Sequence, residues 1–326
     1  MKKILITLLA IMMVLTFALG AAAEETWTPK RSVDFIVPFA PGGSSDMLAR
    51  IFSNQGAKYF DTNFVVINMP GGSCSIGWTE LIGRRPNGLS IGVCNNGVPM
   101  LPLAGETPYI YKDELTALCM WGIAPYVVVV NANSPYQTLG DLMDAIKANP
   151  NGLVSGACSA GANTHIEMEM LALMVDSDIK SVIYDGGSSA IAALLGNNID
   201  VTVQAPSDAA AYIESGDLRC LAVLSDTRLN TPVYADVPTA VEQGIDYVSQ
   251  FYQGAGIPKD TPKEIIAYFE KCFAAALEDP EVKQAVENLG FVVKFENSEE
   301  YTARWEATAE SYKETLETLG DRVVIE

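Results

Sequence analysis

The sequence predicts an α/β protein built as two lobes, each a sheet flanked by helices, with a cleft between them. Three observations carry this expectation. Apolar strands alternate with amphipathic helices along most of the chain. A strand-to-helix corner of one design occurs twice, once in each half. The 326 residues, 49% of them hydrophobic, are enough to fill two cores.

The elements follow in order from the N-terminus. Met1-Lys2-Lys3, an uncharged stretch over 4–19 and Gly20-Ala21-Ala22-Ala23 read as a secretory signal peptide over 1–23, cleaved after Ala23. A retained membrane helix would need about 20 apolar residues with no cleavage site behind them. No cysteine stands at the junction, so a lipid anchor is not indicated, and the mature protein is expected outside the cytoplasmic membrane, in the periplasm. Removing Lys2 and Lys3 takes the formal charge from −19 to −21, which argues against nucleic acid as a partner. Exposed charges are screened beyond about 8 Å, so an anionic ligand would be captured by short-range donors without long-range steering.

Residues 33–39 read as a strand and 46–60 as a helix with Met47, Leu48, Ile51 and Phe52 on its apolar face. A strand over 64–68, a Gly/Ser turn over 69–77, a helix over 78–83 and a strand over 90–94 come next. Strands alternating with helices imply parallel sheets covered on both faces. Residues 126–130 make a fourth strand, and 131–136 look like a crossing between lobes. Thr138 and Asp141 cap a helix that Pro150-Asn151-Gly152 ends. Strands at 181–184, 201–204 and 218–225 alternate with helices starting at Gly186-Gly187 and at Ser207. From Phe251 a short Gly/Pro segment precedes helices over 262–278 and 279–289, whose apolar faces can be covered only by the first lobe. The last helix, 298–320, is charged on one face, which is expected to be solvated. The expected organisation is 24–130 plus 251–326 as lobe one and 131–250 as lobe two.

The two corners carry the chemistry. Ile36-Val37-Pro38-Phe39-Ala40-Pro41-Gly42-Gly43-Ser44-Ser45-Asp46 and Leu153-Val154-Ser155-Gly156-Ala157-Cys158-Ser159-Ala160-Gly161-Ala162-Asn163-Thr164-His165 each break a strand at small residues and restart it as a helix. Such a corner leaves backbone N–H groups free at a helix N-terminus, where the macrodipole adds roughly half a positive charge. Each is a seat for a carboxylate, and two facing seats would grip a small anion from both sides. Catalytic alternatives are thin. Gly156 to Gly161 resembles a nucleophile elbow only superficially, because its spacing is neither G-x-S-x-G nor G-x-C-x-G, and one histidine would have to serve any triad. No G-x-G-x-x-G or P-loop occurs, so no cofactor is expected. Six scattered cysteines without a C-x-x-C pair argue against a metal site. They read mainly as buried small hydrophobes, and any pairing among them stays open.

Four segments taken together resemble one family: residues 37–46, 68–77, 156–165, and 215–223 with Thr227-Arg228 behind it. The chain resembles the substrate-binding receptors of tripartite tricarboxylate transporters, the Bug or TctC-like solute receptors, over nearly all of its mature length. The resemblance implies a two-lobed periplasmic-binding-protein fold, type II-like, that closes on a small carboxylate and presents it to membrane permease subunits. It also implies a monomer with no catalytic role. Carried over by motif, it points to Phe39, Ala40, Gly42, Gly43, Ser44 and Asp46 in lobe one, with Gly72, Ser73 and Ser75 nearby. In lobe two it points to Ser159, Gly161, Asn163, Thr164 and His165, with Asp185, Gly186, Gly187 and Gln204 as further lining. Pro41, Ser73-Cys74-Ser75, Trp78 and Gln204 depart from the family pattern and bear on ligand identity.

Several of these residues have a plainer reading as well. Asp46 is expected to cap its own helix rather than meet the ligand, although Asp46 or Asp185 would receive the ammonium group of an amino acid. His165, the only histidine, is as well suited to packing as to ligand bonding. Arg50 lies roughly 10 Å along the helix from Gly43 and reads as a surface or interlobe charge. Trp78 and Trp121 read as core. Di- and tricarboxylates, acidic amino acids and aromatic acids all fit the corners, and a neutral ligand or a sensory role without transport remains as the alternative.

Overall fold

The computed structural model describes residues 27–323, so the expected signal peptide lies outside the described residues. Strand β1 (Val33–Val37) ends at Pro38, which cannot donate to a sheet ladder, and the chain turns into α1 (Ser44–Asn54) with Leu48, Ala49 and Phe52 buried beneath it. The helix expected over 46–60 stops at Asn54, and a single turn, α2 (Gly56–Tyr59), completes the span. Crowding marks the break: a Cβ on Gly56 would stand 2.5 Å from the Thr62 carbonyl oxygen. There follow β2 (Phe64–Asn68), α3 (Ser75–Ile82), β3 (Ser90–Asn95), α4 (Gly97–Ala104), α5 (Tyr111–Glu114), β4 (Leu115–Pro125) and β5 (Val127–Asn131). The next stretch comprises α6 (Leu139–Ala148), β6 (Val154–Cys158), α7 (Thr164–Leu173), β7 (Lys180–Tyr184), α8 (Gly187–Leu195), β8 (Val201–Gln204), α9 (Pro206–Glu214) and β9 (Leu218–Val223). The chain closes with β10 (Gln250–Pro258), α10 (Lys263–Glu278), α11 (Pro280–Asn288), β11 (Val292–Glu296) and α12 (Ser298–Leu319).

Two sheets result, one ordered β11-β4-β10-β3-β1-β2 and the other β7-β6-β8-β5-β9. Both are mixed, which corrects the expectation of parallel sheets. β1 runs parallel to β2 and β3, and β6 to β7 and β8, as strand–helix alternation demands. The strands next to the lobe crossings run the other way: β10 is antiparallel to β3 and β4, and β5 to β8 and β9.

The chain changes sheet between Pro125 and Val127 and returns at Gln250. Residues 127–130, left in the first lobe by the sequence reading, therefore belong to the second sheet. Three segments meet at this crossing. The Tyr126 N–H donates to the Ser249 carbonyl at 3.3 Å, the Leu224 N–H to that of Tyr126 at 2.8 Å, and the Ser249 N–H to that of Leu224 at 3.0 Å.

The Gly/Pro segment after Phe251 is the interior strand β10. Its glycines are required there, because a Cβ at Gly254 would lie 2.2 Å from the Cys119 carbonyl oxygen and one at Gly256 2.4 Å from Cys94 Sγ. Register shifts on either side of Gly254 and Ala255 accommodate the pairing with β4. In the first lobe Trp121 packs with Phe35, Phe52 and Phe273 at ring separations of 4.7–6.0 Å, and Trp78, also fully buried, donates its indole N–H to the Val93 carbonyl at 3.0 Å. All six cysteines are buried and unpaired.

Helix α10 covers β4, as the apolar faces required, and α12 lies across β4 and α4. The end of α12 reaches the second lobe. Tyr312 donates its hydroxyl proton to the Gly161 carbonyl, and Arg322, just beyond the helix, donates to the Ser177 carbonyl at 2.8 Å and pairs with Asp178 at 2.8 Å.

Candidate functional site

The carboxyl ends of strands from both sheets face each other, and the helices they feed begin there. α1, α7, α8 and α9 start at this cleft, and none is capped by the side chain of its own N-cap residue: Gly43, Asn163, Gly186 and Ala205 hold those positions. The helices that do carry side-chain caps, α6 with Thr138, α11 with Asp279 and α12 with Asn297, begin elsewhere. Where the first turns converge, their positive ends add, and such a place favours an anion or a carboxylate.

Two chambers share Phe39 as a wall. The inner one, about 50 Å³, is lined by Gly43, Ser44, Asn163, Thr164, Gly187 and Gln204 among others. Tyr126 and Phe251, stacked at 4.7 Å beside the hinge, line it too. The outer one, about 230 Å³, is lined by Gly71, Gly72, Ser73, Cys74, Ser159, Ile183, Tyr184 and Asp185. Lobe-to-lobe hydrogen bonds close the cleft. The Ala40 N–H donates to the Asp185 carbonyl at 3.1 Å, the Ala160 N–H to Ser73 Oγ at 2.9 Å, and the Ser188 hydroxyl to the Pro41 carbonyl at 3.0 Å. The facing turns hold non-glycine residues in left-handed conformations, Ser73 (φ 51°), Cys74 (φ 79°), Ser159 (φ 71°) and Asn163 (φ 50°). Each costs of order 1–3 kcal/mol, a strain that recurs at ligand clamps.

Asp46 is the third residue of α1 and nearly fully buried. It accepts the Gly42 N–H, the Arg50 Nε–H and the Asn68 amide, each at 2.9 Å. Burial alone would raise its carboxyl, but Arg50, the Gly42 N–H and Asn68 outweigh it and hold the carboxyl below its usual range. It organises the corner, and Arg50, expected as a surface or interlobe charge, is its ion-pair partner. His165 Nδ1 accepts the Gly161 N–H at 3.0 Å, closing the second turn, and burial lowers the imidazole to about 4, so it is neutral at pH 7. Both polar backbone atoms of Gly161 are thereby engaged, by His165 and Tyr312. Ser75 opens α3 and Gly186 opens α8 without lining either chamber.

Other residues of the inner chamber escaped the sequence reading. Asp208, third in α9, extends across the cleft and accepts the Ser44 N–H at 2.7 Å. Enclosure of its carboxyl pushes it up to about 7, partly offset by that N–H. Gln253 on β10 donates to Ser44 Oγ at 3.3 Å while its carbonyl oxygen has no partner. Neither side-chain polar atom of Asn163 has one, and the residue is only 6% exposed. Leaving a buried polar group unpaired costs about 1–3 kcal/mol, which a bound polar ligand would recover. Asp208 was readable in one respect: it opens the helix after the end of strand β8, and ligands of open α/β sheets gather at such ends.

Comparison with known proteins agrees with this geometry. The family model described as the tripartite tricarboxylate transporter family receptor matches residues 48–320. The chain is 28% identical over 274 residues to protein BugT of Bordetella pertussis, covering 83% of each. Among solved structures it resembles the periplasmic binding protein BugD at 26% identity and a TM-score of 0.84, covering 90% of this chain and 98% of that one. An R. palustris protein solved with adipate gives the same TM-score and coverage at 24% identity. With two mixed sheets, a closed cleft between them and a family match over most of its length, the chain belongs to the tripartite tricarboxylate transporter receptors, solute receptors of the two-lobed periplasmic-binding-protein fold.

Proposed function

We propose that this receptor works outside the cytoplasmic membrane, captures a small carboxylate by closing its lobes, and delivers it to permease subunits of a tripartite tricarboxylate-type transporter. The observation that carries the reading is the convergence on one enclosed chamber of four helix N-termini that lack a cap from their own N-cap residues. The adipate held by a structural relative supports the same ligand class. Backbone amides and neutral side chains supply the donors, so recognition depends on the cleft being shut and dry, where each hydrogen bond is stronger than in water. Closure over a bound carboxylate shifts an open–closed equilibrium toward the closed form seen here.

The test is a thermal-shift screen of the mature protein against dicarboxylates, tricarboxylates, amino acids and aromatic acids, followed by calorimetry of the hits. A ligand at 100 times its dissociation constant adds about 2.7 kcal/mol to stability. A carboxylate hit supports the reading. Response to neutral compounds alone overturns it. Small-angle scattering with the hit in place is expected to report a more closed particle.

A further inference from the structure

We infer that the ligand carries a protonated amine beside its carboxylate, and that Asp208 is the residue that reads the amine. This rests on the carboxylate reading above and narrows it. The Ser44 N–H, at the N-terminus of α1, is the lobe-one donor a ligand carboxylate would take, and the Asp208 carboxyl of lobe two already sits on it at 2.7 Å. A ligand that takes this N-H releases Asp208 into a chamber whose lining has no lysine, arginine or histidine. Two carboxylates crowded into one seat repel each other, so one must be protonated or find a counter-charge.

The ionisable groups facing Asp208 do not provide that charge. The Cys158 thiol is pushed by burial up to about 12 and the Tyr234 phenol is raised further, so both stay neutral. Above pH 7, where Asp208 is ionised, the remaining source is the ligand itself. Neutral groups complete the seat for a zwitterion: Asn163 offers an unpartnered amide able to donate and accept, and the free carbonyl oxygen of Gln253 suits an ammonium. Each is more than nine-tenths buried. The chamber, about 50 Å³, admits such a ligand only when Asp208 swings aside or the lobes part. The rise of the Asp208 carboxyl to about 7 fits a group held without a counter-charge.

The experiment is calorimetry at pH 8 with acid pairs that differ only in the amine: aspartate and succinate, glutamate and glutarate, phenylalanine and 3-phenylpropanoate. In at least one pair the amino acid is expected to bind at least about tenfold tighter, roughly the worth of one well-placed charge contact. Asp208→Asn is expected to level that pair by weakening the amino acid and strengthening the plain acid. The wild-type comparison stands by itself if the variant folds poorly. Plain acids binding as tightly as their amino partners, or a preference that survives Asp208→Asn, overturn the inference and leave the carboxylate reading intact. Silence from all six acids overturns the inference, and the carboxylate reading falls with it only if the wider screen also finds no carboxylate.

Discussion

Asp46 and Asp208 hold the same place in two helices that open on one cleft, the third position of the first turn, where an acid ordinarily completes the helix dipole. In lobe one, Asp46 is surrounded by three donors, one of them a guanidinium, and is held below its usual range. In lobe two, Asp208 reaches across the cleft to one N–H of the other lobe and is pushed up to about 7. Position in the helix decides neither outcome; the partners that the rest of the fold delivers decide both. One aspartate holds a corner of the wall together, and the other lines the chamber.

The comparison breaks most visibly in stability. Asp46→Ala strands the Gly42 N–H and takes one acceptor from the Asn68 amide, which keeps the Phe39 carbonyl, and from the exposed Arg50; it is expected to destabilise by about 2 kcal/mol, with Arg50 contributing least. Asp208→Ala is expected to cost far less. Urea unfolding of both variants at pH 7 checks this, and equal losses would erase the distinction. Next comes the seat itself. Gly43 adopts an extended φ that any residue tolerates, and a Cβ there would lie 3.8 Å from Asp208 Oδ1 and 4.0 Å from the Gly187 nitrogen. Gly43→Val is therefore expected to fold normally and to lose at least about tenfold in affinity, or 1.4 kcal/mol, because its methyls enter the closing surface. Unchanged affinity for the screened ligand in the folded variant would remove Gly43 from the seat. A control away from the cleft sharpens the contrast. Thr138→Ala removes the capping box of α6 and is expected to cost about 1 kcal/mol of stability with no change in affinity.

The smallest signal is in pH. A carboxyl whose folded value is raised binds a proton more tightly in the closed fold than in the unfolded chain. Asp208 therefore makes stability fall as pH climbs from about 4 to about 7, and Glu167, also raised to about 7, acts in the same sense. His165, lowered to about 4, opposes them: its contribution is lost as pH falls from about 6.5 to about 4. The wild-type curve minus that of Asp208→Asn isolates the one carboxyl, with a slope under about 1.4 kcal/mol per pH unit for a single proton. A flat difference would place Asp208 in solvent contact rather than in an enclosed seat.

Both corners were legible because their signal is local: an apolar strand, small residues and a new helix within fifteen positions. Trp78 and Trp121 were legible as core for the same kind of reason, a bulky residue in apolar context. What escaped depends on pairing between distant segments. β4 and β10 carry glycine and proline in place of a run of β-branched residues, and only their contact, with no room for a Cβ at Gly254, makes them interior strands. The sheet to which β5 belongs is likewise set by β8 and β9, many residues later. Asp208 was hidden by its ordinariness, since an acid in a first helical turn needs no ligand to explain it. Sequence periodicity therefore located the walls of the cleft and not the charge inside it.

The reach of α12 bears on how far the protein can gape. Tyr312 grips the carbonyl of Gly161, part of the very turn that shapes the second wall, while Arg322 holds the segment around Asp178 at the back of the same lobe. Swinging the lobes apart must stretch or release that clasp in addition to bending the three segments at the hinge. A helix that begins far from the cleft thus ties one lobe to the other at its end, and any parting of the lobes is resisted from the far end of the chain.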